Sequence, residues 1–179
     1  MNNLQKLYLI ALILFASIGC DQVSKNIAKN SLANSPAMSY LGETFRLQYA
    51  ENTGAFLGLG SGLSKTTRFL LFTFLSGGLL IALFFYTIKS RDLQRKHIFA
   101  LSLILGGGIS NMIDRVFNDG KVIDFMNMGI GSLRTGIFNM ADVLIMVGMA
   151  SILLFNYQSH KEKQSPSEVT EPPQTKQGS

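Results

Sequence analysis

The 179-residue chain contains one cysteine, no tryptophan, two histidines and few charges. With Cys20 as the only cysteine, a disulfide scaffold is excluded. Charged residues make up 15% of the sequence, against about 25% in a typical soluble protein. Apolar residues make up 47%, too much apolar surface for extended disorder. The formal charge of +5 fits either nucleic acid or cations gathered at a membrane surface. What the chain does have is 13 Phe and 17 Gly, a composition suited to using lipid as part of its solvent. The question is then where 11 acidic residues sit in so apolar a chain.

Four apolar stretches answer part of it. A bilayer core of about 30 Å needs about 20 helical residues. The first stretch, Leu7 to Cys20, is short and spans only if its helix continues past Asp21 and Gln22 toward Ile27. Phe69 to Ile88 is long enough alone. Ile98 to Ile113 contains Gly106, Gly107 and Gly108, which permit close helix packing in a membrane. Ile137 to Tyr157 forms the fourth. These are uninterrupted runs, without the polar face that a soluble bundle needs. Lys89, Arg91, Arg95 and Lys96 crowd the link between spans two and three, which the positive-inside rule makes cytoplasmic. Both termini then lie on that side.

The first outer segment is more than a linker. Thr44 to Tyr49 alternates polar and apolar residues, the period of a strand with one buried face. Pro36 and Gly42 bound it, and Gly54, Gly58, Gly60 and Gly62 predict that the chain folds back. Beyond His160 the sequence is polar, Pro-rich and free of aromatics, as disordered tails are.

Asp92, Glu162, Glu168, Glu171 and Glu43 are explained by solvent. Asp21, Glu51, Asp114, Asp119, Asp124 and Asp142 gather near the outer ends of the spans. A carboxylate inside a span costs about 2.5–3.5 kcal/mol, so one is retained only if paired, hydrated or useful. Asn139 and Asp142 are three apart, which predicts one shared helical face in span four. Asn111 and Asp114 have the same spacing in span three, and Arg115 can satisfy a carboxylate or a carbonyl. Asn118-Asp119-Gly120 signals a turn, and Asp124 lies between Ile123 and Phe125. Two aspartates from different segments at one membrane boundary suggest aspartic-protease chemistry, in which neighbouring carboxylates share one proton. A Ser-His triad fits poorly, because His97 and His160 fall on the cytoplasmic side. Cys20 has no histidine near it, and a zinc site lacks its usual His and Cys ligands.

Five motifs then stand in order. They are Asp21-Gln22-Val23-Ser24-Lys25, Glu51-Asn52-Thr53-Gly54-Ala55-Phe56 and Asn111-Met112-Ile113-Asp114-Arg115, followed by Gly120-Lys121-Val122-Ile123-Asp124-Phe125 and Phe138-Asn139-Met140-Ala141-Asp142. On these the chain resembles the lipoprotein signal peptidase (signal peptidase II) family of bacterial membrane aspartic proteases. The resemblance implies an α-helical polytopic membrane protein, with four transmembrane helices and a small extracytoplasmic β-cradle. Residues 1–158 would form the membrane domain, with the cradle at about 36–64, and 159–179 a disordered cytoplasmic tail. The resemblance makes Asp124 and Asp142 the catalytic dyad. Asn52, Gly54, Asn111, Arg115 and Asn139 would line the site, and Asp21, Lys25 and Asp114 would support it. The implied substrate is a diacylated prolipoprotein, cut just before its lipidated cysteine. Membrane lipid is a further partner and globomycin an inhibitor. No cofactor, metal or nucleic acid is implied. The implied location is the bacterial cytoplasmic membrane, with the site on its outer side. One departure is Gly54-Ala55-Phe56-Leu57, where the family often reads Gly-Ala-Ala-Phe.

Two other readings compete. A small transporter or proton-relay protein would spread its ionisable residues across the bilayer, whereas here they gather at one face. A secreted lipoprotein would use Ser17-Ile18-Gly19-Cys20 as its processing site, but it would not need three further spans. Cys20 is expected instead to be a small buried residue in a helix.

Overall fold

The computed structural model describes residues 2–54 and 62–164. The departure at Ala55, Phe56 and Leu57, and the glycines Gly58 and Gly60, lie outside the described residues.

The first helix, α1 (Asn3–Leu32), is longer than the apolar run that predicts it. Asn2 and Gln5 start it with a reciprocal capping box. At about 1.5 Å per residue it is about 45 Å long and outreaches a bilayer core. A narrow stripe faces the protein: Lys6, Ile10, Ile13, Ser17, Asp21, Lys25, Ala28 and Leu32. Leu4, Tyr8 and Phe15 point outward instead. This is the inverse of a soluble helix, since much of the polar content faces the protein and apolar side chains face lipid. Cys20 falls off the stripe and is exposed, so it faces outward and is not the buried residue expected.

The second span is a continuous rod over Thr66–Lys89. It consists of α2 (Lys65–Leu70), a π-helical turn (Leu71–Leu75) and α3 (Ser76–Lys89). Next come α4 (Arg95–Phe117) and, after two sheet strands, α5 (Met140–Gln164). Four candidate membrane spans therefore agree with the sequence reading.

Helix α4 is the hub. In its apolar window 61% of residues are buried, against 17%, 0% and 11% in the other three. The three consecutive glycines explain this, because each faces a different neighbour. A Cβ at Gly106 would overlap Ser17 of α1, one at Gly107 the carbonyl of Ala141 in α5, and one at Gly108 the Leu80 side chain of α3. Small residues let helix backbones approach closely where lipid supplies no hydrophobic drive for association.

A four-stranded antiparallel sheet caps the end where α1 finishes, in the order β1 (Met38–Tyr40), β2 (Phe45–Asn52), β3 (Val122–Ile130) and β4 (Leu133–Arg134). The expected strand is present in β2, which is half-buried along most of its length. Its Leu47 and Tyr49 pack with Ala28, Leu32, Phe125 and Met126 against the projecting end of α1. The cradle is not confined to residues 36–64. Its other half comes from β3 and β4, because β2 pairs with β3 from Phe45↔Met128 to Asn52↔Val122. The register shifts between Leu47 and Ala50, a bulge that re-aims the strand end next to the site. The turn signalled at Asn118-Asp119-Gly120 is present, with positive φ at Asp119 and Gly120.

Two boundaries move. Helix α5 begins at Met140, so Ile137, Phe138 and Asn139 precede it, and Phe138 bridges to Met126 instead. The helix also continues through Gln164, beyond the tail boundary expected at 159, and residues 165–179 lie outside the described residues.

Candidate active site

On the sheet side of the bundle, α1, α4, β2, β3 and the start of α5 converge on one polar cluster. Asn139 is its centre. It is the residue before α5, and it does not share a helical face with Asp142 as expected. Its Oδ1 accepts from the Asp142 backbone N–H at 3.0 Å, and its own backbone N–H donates to Asp142 Oδ2 at 3.2 Å. This reciprocal pair is a capping-box geometry, and it puts a carboxylate at the positive end of the helix dipole. Its Nδ2 donates to Asp124 Oδ1 at 2.7 Å, to Asn111 Oδ1 at 3.1 Å and to the Ile123 carbonyl at 3.2 Å.

Asp124 and Asp142 thus come from different elements, β3 and α5, and share one asparagine. Asn52, at the end of β2, donates to Asp124 Oδ2 at 3.0 Å. Asn111, on α4, donates to Asp142 Oδ1 at 3.0 Å. Asp124 is only 2% exposed. Burial pushes its carboxyl up to about 6 and the Asp142 charge adds to this, against hydrogen bonds from Asn52 and Asn139 that favour the ionised form.

Behind this pair lies a buried ionic cluster. The Lys25 ammonium donates to Asp21 Oδ2 at 2.6 Å, Asp114 Oδ2 at 2.9 Å and Asn111 Oδ1 at 2.8 Å. All three of its donors are used, and the two carboxylates are bonded further. Asp21 accepts from the Ser110 hydroxyl at 2.7 Å and from the Ala141 backbone N–H at 2.7 Å. Asp114 accepts from Gln22 at 2.8 Å and from the Ile123 backbone N–H at 3.0 Å. The cluster ties α1 to α4, to the strand carrying Asp124 and to the helix turn carrying Asp142. A buried ion pair is tolerated when its remaining lone pairs are satisfied in this way.

A cavity of about 330 Å³ opens in front of the two aspartates. Asn52, Gly54, Asn111 and Arg115 contribute to its wall, with Val122, Met128, Ile137, Phe138 and Met146 as apolar lining. Gly54 donates its backbone N–H to Asn52 Oδ1 at 2.9 Å, which turns the Asn52 amide group toward Asp124. Arg115 reaches the Asn111 carbonyl of its own helix at 3.4 Å, one of the two roles expected of it, and among the described residues it makes no ion pair.

All ten residues singled out as site residues meet in this cluster or line its cavity. Glu51 and Asp119 do not. Glu51 sits on the sheet surface, held below the usual carboxylate range by hydrogen bonds from Lys121 and then Tyr49. Asp119 is exposed in its turn. Sequence reasoning assigned no role to Gln22 or Ser110, although Gln22 lies inside a quoted motif. The spacing of Ser110 before Asn111 and of Gln22 after Asp21 was the available signal. Among the described residues no three His, Cys, Asp or Glu side chains converge so as to hold a metal ion.

The chain matches a family model described as signal peptidase (SPase) II over residues 13–158. It is 36% identical to the lipoprotein signal peptidase of Treponema denticola, covering 81% of this chain and 86% of that one. It is 32% identical to the lipoprotein signal peptidase of Borrelia duttonii, covering 86% and 94% respectively. Among solved structures it superposes on a bacterial membrane enzyme with a TM-score of 0.75 at 26% identity, covering 88% of this chain and 93% of the other.

Proposed function

We propose that this chain, which belongs to the signal peptidase II family, is an aspartic endopeptidase working through Asp124 and Asp142. It is a membrane-spanning protease that removes signal peptides from prolipoproteins. The transporter reading has no support from these relatives. The observation that carries the aspartic reading is the joining of the two carboxylates through Asn139, at the wall of a cavity beside the outer helix ends.

Neighbouring carboxylates do not both ionise cheaply, so the pair holds one proton. The ionised member takes a proton from water as its oxygen attacks the scissile carbonyl carbon. The protonated member donates its proton to the carbonyl oxygen, giving a neutral diol. Collapse of the diol gives a hydroxyl proton to the member now ionised, re-forms the carbonyl and breaks the C–N bond, while the other member passes its proton to the leaving nitrogen. The pair ends as it began, with one proton. Asn52, Asn111 and Asn139 fix the carboxylates before substrate arrives, which removes reorganisation from the reacting step. Arg115, on the cavity wall, would hold the substrate backbone, and Gly54 orients Asn52. Lys25, Asp21 and Asp114 anchor the frame.

The proposed substrate carries diacylglycerol on its cysteine and is cut just before it. Acyl chains buried at about 0.8 kcal/mol per CH₂ hold that bond near the interface, so docking in the membrane contributes much of the selectivity. The density of cations between α3 and α4 supports a cytoplasmic position for that link and both termini, leaving the site on the outer side of the bacterial cytoplasmic membrane. Cleavage of a diacylated prolipoprotein by the purified protein, and its block by globomycin, test this reading. Turnover by Asp124→Asn or Asp142→Asn at the wild-type rate would overturn the dyad.

A further inference from the structure

At the end of the bundle opposite the sheet, a cavity of about 630 Å³ lies between the start of α1 and the link from α3 to α4. Its polar lining comes from Asn3, Lys6, Lys89, Ser90 and Arg91. Three of these are cations, the other two can donate hydrogen bonds, and among the described residues no carboxylate is present in the lining. Leu7 and Ile98 supply an apolar floor.

Lys6 is the most informative member. It is 8% exposed, yet it sits in the first turns of a membrane-spanning helix with no acidic partner among the described residues. Its ammonium donates to the carbonyls of Ile88 at 2.9 Å and Ser90 at 2.7 Å, closing the C-terminal end of α3. Two of its three donors are used there, and no other acceptor for the third is found among the described residues. Lys89 lies over the Phe85 ring, 5.4 Å from its centroid, which positions the ammonium without neutralising it. The N-terminal turn of α1 adds positive dipole potential to the same space. The four spans fix this cavity at a membrane–water boundary, where a phosphate group would meet both water and cations.

We propose that this cavity binds the phosphodiester headgroup of an anionic phospholipid. The phosphate sits among Lys6, Lys89 and Arg91, and the glycerol end rests on the apolar floor. The bound lipid joins the start of α1 to the α3–α4 link, and it does so at the end of the bundle remote from the aspartates.

The test uses the full chain in phosphatidylcholine nanodiscs with increasing phosphatidylglycerol, with bound lipid counted by native mass spectrometry. Wild type is expected to retain phosphatidylglycerol in preference to phosphatidylcholine. Lys89→Gln/Arg91→Gln is expected to weaken that retention about tenfold or more, as loss of two cations at a lipid surface implies. Arg95→Gln/Lys96→Gln makes the same charge change at the same end, outside the cavity lining, and is expected to retain the lipid. Equal weakening by both pairs would assign the effect to diffuse surface charge and overturn the proposal. Unaltered retention in the first pair would also overturn it. Inorganic phosphate is the second arm: competition at the same concentration as the lipid headgroup would make this a soluble-anion site. Thermal melts of each variant separate lost binding from lost folding, and the single variant Arg91→Gln, in the exposed link, carries the test if the pair does not fold.

Discussion

Asn139 and Asp124 are joined by a 2.7 Å hydrogen bond, and the same asparagine closes the helix turn that carries Asp142. One side chain therefore sets the relative position of two carboxylates that lie on a strand and a helix. The amide suits this position because it donates to one carboxylate while accepting from the backbone beside the other.

Replacing Asn139 with Ala leaves both aspartates in the chain but removes their common partner. Turnover is expected to fall about a hundredfold or more, within the range attributed to positioned acid–base groups. Single-turnover cleavage of a diacylated prolipoprotein measures it. Near wild-type turnover would show that the dyad positions itself.

Asp124→Asn and Asp142→Asn are each expected to abolish turnover while the protein remains inserted and helical by circular dichroism. Asn at either position keeps the shape, but it replaces one of the two acceptor oxygens with a donor and cannot carry the shared proton.

The Asp124 carboxyl, pushed up to about 6 from an ordinary 3.8, gives a pH signature. The folded state binds this proton more tightly than the unfolded state, so ionising Asp124 costs stability. That cost is absent below about pH 4 and grows as pH rises through about 6. The Tm of wild type relative to Asp124→Asn is therefore expected to fall between pH 4 and pH 7. A difference that does not change over that window would contradict the burial argument.

Lys25→Met leaves Asp21 and Asp114 buried without their cation. Breaking a buried pair from one side costs about 3–5 kcal/mol. A lower folded yield and a lower Tm are expected, with partial recovery when Asp114→Asn is added. Equal stability of the single and double variants would mean that the cluster is not coupled.

Gly107→Ala and Gly108→Ala distinguish two kinds of close packing. A Cβ at Gly107 meets the Ala141 backbone carbonyl in α5, which cannot move without shifting the turn that bears Asp142. A Cβ at Gly108 meets the end of the Leu80 side chain, which can rotate. Activity is expected to drop further in Gly107→Ala, and equal activities would argue against helix contact as the control on the site.

Much of the fold was legible in the sequence because insertion into lipid is a local property. Apolar runs long enough for a bilayer core mark the spans in one dimension, and the cost of a carboxylate within them marks Asp142 as exceptional. The alternation from Thr44 to Tyr49 indicated β2 for the same reason, since side chains on a strand alternate faces. Strand β3 was not legible. Val122-Ile123-Asp124-Phe125 has no alternation, because the strand is buried on both of its faces here. The start of α5 was misplaced because Ile137 and Phe138 are apolar enough to continue the run, yet Phe138 is used in a bridge to Met126.

The sequence by itself determined that this chain is a membrane protein with its costly acidic residues at one end, and its motifs pointed to the family. Tertiary structure decided which carboxylates become partners. Lys25 neutralises Asp21 and Asp114, Lys121 pairs with Glu51, and Asp124 and Asp142 are left to share Asn139 with no ion pair of their own among the described residues. The physical reason is that pairing depends on distances between elements. Those distances follow from glycine contacts on α4, the bulge in β2 and the cap of α5 acting together.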